Sequence, residues 1–158
     1  MLDQSLFLLT LISIIGSGLM AGLYFIFSNT IMRALQERPP AEGMAVMQAI
    51  NRVILNPLFF LVFFGTAVTS LLIVILVISG KVLTGRPYLI AGSLLYLIGN
   101  IFITITRNVP LNNALDRADA TNKDGREVWA DYLKRWTTWN HVRTVACVGA
   151  MAGFALGL

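Results

Sequence analysis

The chain has 158 residues, 56% hydrophobic and only 13% charged, where an ordinary soluble domain carries roughly a quarter charged residues. The net charge of +4 does not point to nucleic acid, because the basic residues gather at the ends of long apolar blocks, where membrane topology puts them. A single cysteine excludes a disulfide within the chain, and Cys147 reads as a small core residue of the last apolar block.

From Gln4 to Met32 there is no charged residue, and such a run crosses a ~30 Å hydrocarbon core with tilt. No Lys or Arg precedes it and it is too long for a signal-peptide core, so a retained anchor is expected. Gly18 and Gly22, with Ser17 and Ala21 at the same step, allow close approach of a neighbouring helix. Phe25 and Ser28 are placed to look into a cavity at the helix end. Pro39-Pro40 stops the helix. Residues 41–50 then read as a short amphipathic helix with Met44, Met47 and Ile50 on one face, expected to lie at the membrane surface. Asn56-Pro57 is a helix start, an amide cap followed by proline in the first turn. The second span comes next, with Thr66 and Ser70 as candidate interhelical hydrogen-bond groups.

A tight turn with Lys81 and Arg86 leads to the third span. On a wheel of ~100° per residue, Ser93, Tyr96, Asn100, Thr104 and Arg107 share one face, with Leu97 among them. A polar stripe in an apolar helix has to face protein or trapped water. Both interhelical contact and cavity lining meet that need. Arg107-Asn108-Val109-Pro110-Leu111-Asn112 is expected to break the helix at the water boundary, with Asn112 or Asn113 capping the next segment. Residues 121–125 read as a loop and a helix starts near Arg126. Its stripe of Trp129, Tyr132, Trp136, Trp139, Asn140 and Arg143 spans about 100°. The last span has to begin near Trp136, which would set the tryptophans at headgroup depth.

The expectation is an all-α, transmembrane four-helix bundle forming one domain over 1–158, with spans near 5–32, 57–79, 87–106 and 136–158. Short amphipathic helices occupy the two long connections. Ten Lys and Arg in those connections against two on the other side predict both long connections in the cytoplasm and both termini outside, in a bacterial inner membrane. Asn51, Asn56, Arg107, Asn112, Asn140 and Arg143 then share one depth near the cytoplasmic boundary. That convergence is the argument for a site.

The chemistry open to it is limited. No carboxylate lies inside a span, which weakens proton-relay and cation-transport readings. One histidine, one cysteine and no intramembrane acid cannot supply three or four metal ligands within one chain. A metal shared between chains of a homo-oligomer, or a haem held by His141 alone, stays open. Phosphate-cradling glycine loops and serine triads are absent. Arginine and asparagine donors suit a carbonyl or phenolate oxygen that gains negative charge. Trp136, Trp139 and Tyr96 offer flat apolar surface to a planar ligand. His141 can act as a base near neutral pH, although on a straight helix it points about 120° or more from the Trp/Asn/Arg stripe. For Arg107 and Arg143 the competing role is headgroup anchoring or pairing with Asp131 or Glu127.

Ile50-Asn51-Arg52, Asn108-Val109-Pro110-Leu111-Asn112 and Trp136-X-X-Trp139-Asn140-His141-Val142-Arg143 resemble the anthrone oxygenase-like family of small four-span membrane proteins. The resemblance implies a four-helix membrane bundle. In some fungal polyketide pathways, relatives are associated with oxidising an anthrone to an anthraquinone without a tightly bound cofactor. It directs attention to Asn51, Arg52, Asn108, Pro110, Asn112, Trp139, Asn140, His141 and Arg143. The leading expectation is a membrane oxygenase-like enzyme acting with O2 on a planar lipophilic phenolic, anthrone-type or quinone-type molecule. His141, Arg143, Asn140 and Arg107 would be catalytic. Asn51, Arg52, Asn56, Tyr96, Asn100, Asn108, Asn112, Trp136 and Trp139 would bind substrate. The alternatives are a non-catalytic protein that binds a lipid or hydrophobic metabolite, and, more weakly, an oligomeric transporter.

Overall fold

The computed structural model describes residues 2–82, 84–119 and 121–158. Among these residues the fold is all-α, with no strand. Helix α1 (Leu2–Ile26) runs through a π-helical turn, Phe27–Ile31, into α2 (Met32–Gln36). After a short turn come α3 (Pro40–Val53) and α4 (Pro57–Ile78). The third rod joins α5 (Arg86–Leu94), two π-helical stretches (Leu95–Phe102 and Thr104–Asn108) and α6 (Val109–Asp116). The fourth rod is α7 (Lys123–Gly157). The rods pack in a ring, α1 against α4 and α7, and α5 against the same two.

Among the described residues, three helices are long and apolar enough to cross a membrane: Gln4–Gln36, Pro57–Ile78 and Arg86–Asp116. Their outward surfaces carry Leu19, Phe25, Leu61, Phe64, Ile75, Ile98 and Phe102, all exposed, a belt that water would not tolerate but lipid would. The fourth expected span does not meet that test of length and apolarity. Asn140, Arg143, Ala146, Cys147, Ala150, Gly153 and Phe154 are buried against the other rods, so this segment is polar and small where the others are greasy.

Helix starts follow local chemistry. Asn56 Oδ1 accepts from the Phe59 N–H at 3.1 Å and Pro57 fills the first turn, as expected. Asn122 caps α7 in the same way, accepting from the Gly125 N–H at 2.8 Å, so that helix begins earlier than Arg126. The expected break at Arg107–Asn112 does not occur. Pro110 lies in the first turn of α6, and the π turn before it absorbs the missing N–H, so the rod continues to Asp116.

Small residues set the closest approaches, but not where Gly18 and Gly22 suggested. A Cβ on Gly22 would meet nothing within 4 Å. One on Gly153 would lie 2.9 Å from the Gly92 Cα and 3.0 Å from the Tyr88 carbonyl oxygen, so α5 and α7 touch backbone to backbone. Thr66 and Ser70 return their hydroxyls to their own helix, to the carbonyls of Val62 and Thr66. A hydroxyl pair that does bridge two helices is Ser13 and Thr69, at 2.7 Å.

Two apolar cores stack along the rods. One gathers Met20, Tyr24, Phe63, Ile73, Tyr96, Cys147 and Phe154. The other gathers Phe27, Met32, Met44, Met47, Leu115, Trp129, Tyr132 and Trp136. The apolar face of α3 is therefore covered by protein: Met44 and Met47 pack into this second core instead of lying on the membrane. Trp129 and Trp136 are likewise buried, stacked with Tyr132 between them at centroid distances of 5.9 and 5.7 Å, and are not part of a headgroup belt.

Candidate functional site

Where the two cores meet, the rods enclose a cavity of about 330 Å³. Its floor is α7, which presents Trp136 and Arg143, two turns apart on the buried stripe. Arg143 is only 5% exposed. Its Nη2 donates to Asn140 Oδ1 at 2.6 Å and its Nη1 to Thr104 Oγ1 at 3.2 Å. The guanidinium lies 4.1 Å from the Tyr24 ring centroid and 5.3 Å from that of Trp136. The ion pairs among the described residues use other cations: Arg38, Arg52, Lys123 and Arg135. Arg143 is thus a buried cation held by neutral dipoles and ring faces.

Asn140 explains how it is held. This fully buried amide donates from Nδ2 to the Tyr24 carbonyl at 2.7 Å and to Ser28 Oγ at 2.6 Å. Ser28 lies in the π turn that starts at Phe27, and the Tyr24 carbonyl lies one turn before it, so Asn140 ties α7 to both sides of that turn. With both amide hydrogens committed, the Asn140 oxygen faces the guanidinium. On the opposite side, Tyr24 Oη donates to Asn100 Oδ1 at 2.8 Å, which fixes the ring under Arg143.

The third rod supplies the facing wall. Its polar residues come inward at steps of four: Tyr96, Asn100, Thr104, Asn108. A straight α-helix would drift off that face, and the wider i→i+5 turns hold it there. Asn108 consequently points in and is buried, while Arg107 is carried outward and stacks on Trp139 at 4.9 Å, away from the cavity. Phe27, Phe59, Phe60, Phe63 and Phe64 complete an aromatic wall. Phe60, Phe64, Ile105 and Val109 both line the cavity and are exposed on the apolar surface, so it opens sideways between α4 and the third rod. Its other rim is polar: Asn51, Asn112, Asn113 and the Arg52–Asp116 pair, 3.4 Å apart. Tyr132 Oη donates to Asn112 Oδ1 at 2.9 Å beneath that rim.

Three buried polar atoms on the lining residues have no hydrogen-bond partner: Arg143 Nε, Trp136 Nε1 and Asn108 Oδ1. Two of them are donors, one in the Arg143 guanidinium itself and one on the indole it packs against. Such groups cost about 1–3 kcal/mol each when left unpaired; an anionic oxygen would satisfy the two donors, whereas the Asn108 oxygen needs a donor.

A family model described as anthrone oxygenase matches residues 59–153. The chain belongs to the anthrone oxygenase family. The match contains the Asn108–Asn112 and Trp136–Arg143 motifs of this anthrone oxygenase-family chain, while Asn51-Arg52 and all of α1 precede it. Comparison with curated proteins and with solved structures gave no match.

Of the residues singled out by sequence, the structure brings Asn51, Arg52, Asn108, Asn112, Trp136 and Arg143 to the cavity, with Asn140 directly behind Arg143. Tyr96 and Asn100 are buried but sit beyond the lining, and Tyr96 donates to the Phe63 carbonyl at 3.0 Å. Asn56 is spent as the cap of α4. Arg107 and Trp139 pair with each other outside the cavity. His141 is exposed on the far side of α7, where it lines a separate groove with Arg33, so it does not join Arg143. Two residues along a helix place side chains about 160° apart, and α7 runs unbroken through this stretch, so nothing turns His141 back. Sequence reasoning passed over Tyr24 and the roles of Thr104 and Ser28. Thr104 already stood on the polar stripe. Tyr24 carried no such signal, as a lone aromatic in an apolar run. Among the described residues no group of three or more His, Cys, Asp or Glu gathers into a metal-binding cluster.

Proposed function

We propose that the protein is a membrane oxygenase-type enzyme that oxidises a planar, lipophilic phenol or anthrone with O2. The observation that carries this reading is the buried Arg143, without an ion pair among the described residues and with its Nε–H and the Trp136 Nε1–H beside it unpartnered among them, in an aromatic cavity open to the apolar surface. A substrate dissolved in the bilayer enters between Phe64 and Ile105 and lies against the phenylalanines. Its oxygen meets Arg143 and Trp136.

In this reading the site favours the enolate of the bound anthrone. The acidic CH2 gives up a proton to water at the polar rim, where Asp116 is the lining carboxylate. The negative charge collects on the oxygen facing Arg143, where preoriented donors in a dry cavity act most strongly. The electron-rich carbon reduces O2 and forms a C–O bond, giving a hydroperoxide. The O–O bond then breaks with loss of water and leaves a second ring carbonyl. One oxygen atom ends in the quinone and one in water, so no separate reductant is consumed. Arg143, Asn140, Thr104 and Trp136 are the residues assigned to this chemistry, and His141 and Arg107 are given no part in it. The excess of basic residues in the two long connections supports a cytoplasmic position for the polar rim.

The test is oxygen uptake by protein-containing vesicles supplied with anthrone. One quinone should appear for each O2 consumed, faster than in empty vesicles. Uptake equal to that of empty vesicles ends the enzymatic reading. Saturable anthrone binding without turnover would favour the second reading, a non-catalytic binder of lipophilic anions, which the same cavity also supports.

A further inference from the structure

The groove that holds His141 lies on the other side of α7 from the Arg143 cavity, and the oxidation chemistry does not use it. It encloses about 340 Å³ where the apolar run of α1 gives way to polar residues. Asn29, Arg33, Gln36, Thr137 and His141 line its polar part. None of its lining residues is an acid. Arg33 makes no ion pair among the described residues, in contrast to Arg38, Arg52 and Arg135, each of which has a carboxylate within reach. The Thr137 hydroxyl is buried and has no hydrogen-bond partner. Below these groups the lining turns apolar, with Phe25 exposed on the outer surface of α1. Ser28 closes the inner wall and is held there by Asn140.

A cation, an imidazole and an orphaned hydroxyl converge above an apolar slot at the boundary between lipid-facing and polar surface. Arginine in such a place presents several donors to the oxygens of a phosphate. We propose that this groove binds a phosphate group through Arg33, His141 and Thr137. Either an anionic phospholipid, its acyl chain descending past Phe25, or a free phosphate carries the same chemistry. The groove and the Arg143 cavity share no lining residue, so the proposal stands without the oxygenase reading.

The test uses the purified full-length protein in dodecyl maltoside micelles. It is titrated with phosphatidylglycerol, with retained lipid counted by native mass spectrometry, and separately with inorganic phosphate. Arg33→Gln and His141→Gln are compared with Arg38→Gln, which changes an arginine outside the groove by the same charge. All three positions are exposed, so the variants should fold, and their thermal stability checks this. The expected result is retention of phosphatidylglycerol that falls about tenfold or more in Arg33→Gln, the scale of one charge-assisted hydrogen bond, and is unchanged in Arg38→Gln. Binding of inorganic phosphate with the same dependence on Arg33, and no retained lipid, assigns the groove to the free anion. Equal binding of both probes by the unaltered protein, Arg33→Gln and His141→Gln overturns the proposal.

Discussion

Asn140 Oδ1 and Arg143 Nη2 are 2.6 Å apart, three residues along one helix, and this contact fixes the one buried cation that faces the cavity. Removing a guanidinium from water costs several kcal/mol. Two hydrogen bonds to its ends and two ring faces offset that cost, at about 1.5–3 kcal/mol per charged hydrogen bond and up to about 2 kcal/mol per ring. Nε–H is left without a hydrogen-bond partner among the described residues.

Replacing Arg143 by lysine keeps the charge and loses the fork. An ammonium cannot reach Asn140 and Thr104 together and still offer a third donor to the cavity. Anthrone oxidation should fall about 10²–10³-fold, the range found when one oxyanion donor is removed, with anthrone binding weakened less than turnover. Oxygen-uptake kinetics in vesicles read both. Wild-type rates in Arg143→Lys would remove this residue from the chemistry.

Asn140→Asp tests the neutrality of the cavity. A carboxylate there would pair with Arg143 and cancel its charge, while the donors to the Tyr24 carbonyl and Ser28 would be lost. Binding of anionic anthrone analogues should drop by about tenfold or more. Isothermal titration in detergent, alongside a melting curve to verify folding, measures it. Unchanged affinity would mean the guanidinium charge is not what the ligand reads.

The fold and the site differ in how much of them the sequence disclosed, and the difference has physical causes. Long apolar runs are read from composition, so the apolar rods were visible, although the third was expected to end near residue 106 and runs on to Asp116. The cap at Asn56 and the stripe Trp129–Tyr132–Trp136–Asn140–Arg143 also came from residue type and an unbroken 3.6-residue period. The third rod did not. Its π turns change the period partway along, so a wheel drawn with α geometry put Arg107 inward and left Asn108 off the stripe. Rotation about the helix axis was legible only in part: Arg107 and Trp139 face away from the cavity against expectation, while His141 lies off the stripe as its helical position implied. The aromatic wall was invisible for another reason. Phe59, Phe60, Phe63 and Phe64 look the same in sequence whether they face lipid or ligand.

Tyr132 supplies a pH test outside the apolar rods. Burial pushes its phenol above the ordinary tyrosine range. The raised value means the folded state favours the neutral form, so this contribution is complete below about pH 10 and is lost as pH rises from there toward the folded value. Tyr132→Phe should be less stable at neutral pH by about 1 kcal/mol, for the lost bond to Asn112, and lose less stability between pH 10 and 12 than the unaltered protein. Thermal melts across roughly that pH range decide it. Parallel alkaline losses in both proteins would contradict the assignment.

Gly153→Val addresses packing alone. The added carbons would meet the Gly92 backbone and the Tyr88 carbonyl, none of which can rotate away. Overpacking of this kind costs about 1–3 kcal/mol. The melting temperature in detergent should fall clearly for Gly153→Val and little for Gly22→Ala, where a Cβ meets open space. Equal effects would refute the backbone contact between α5 and α7.

That contact has a mechanical consequence. Where Gly92 meets Gly153 there are no side chains to compress or re-rotamerise, so the third and fourth rods are riveted at one end. The other end of the third rod passes α4 only by way of a hollow, and it is wound in the looser π form there. The two ends of the rod are therefore held by different means: bare backbone contact at Gly92, and side-chain hydrogen bonds at Asn108 and Asn112 beyond the guanidinium.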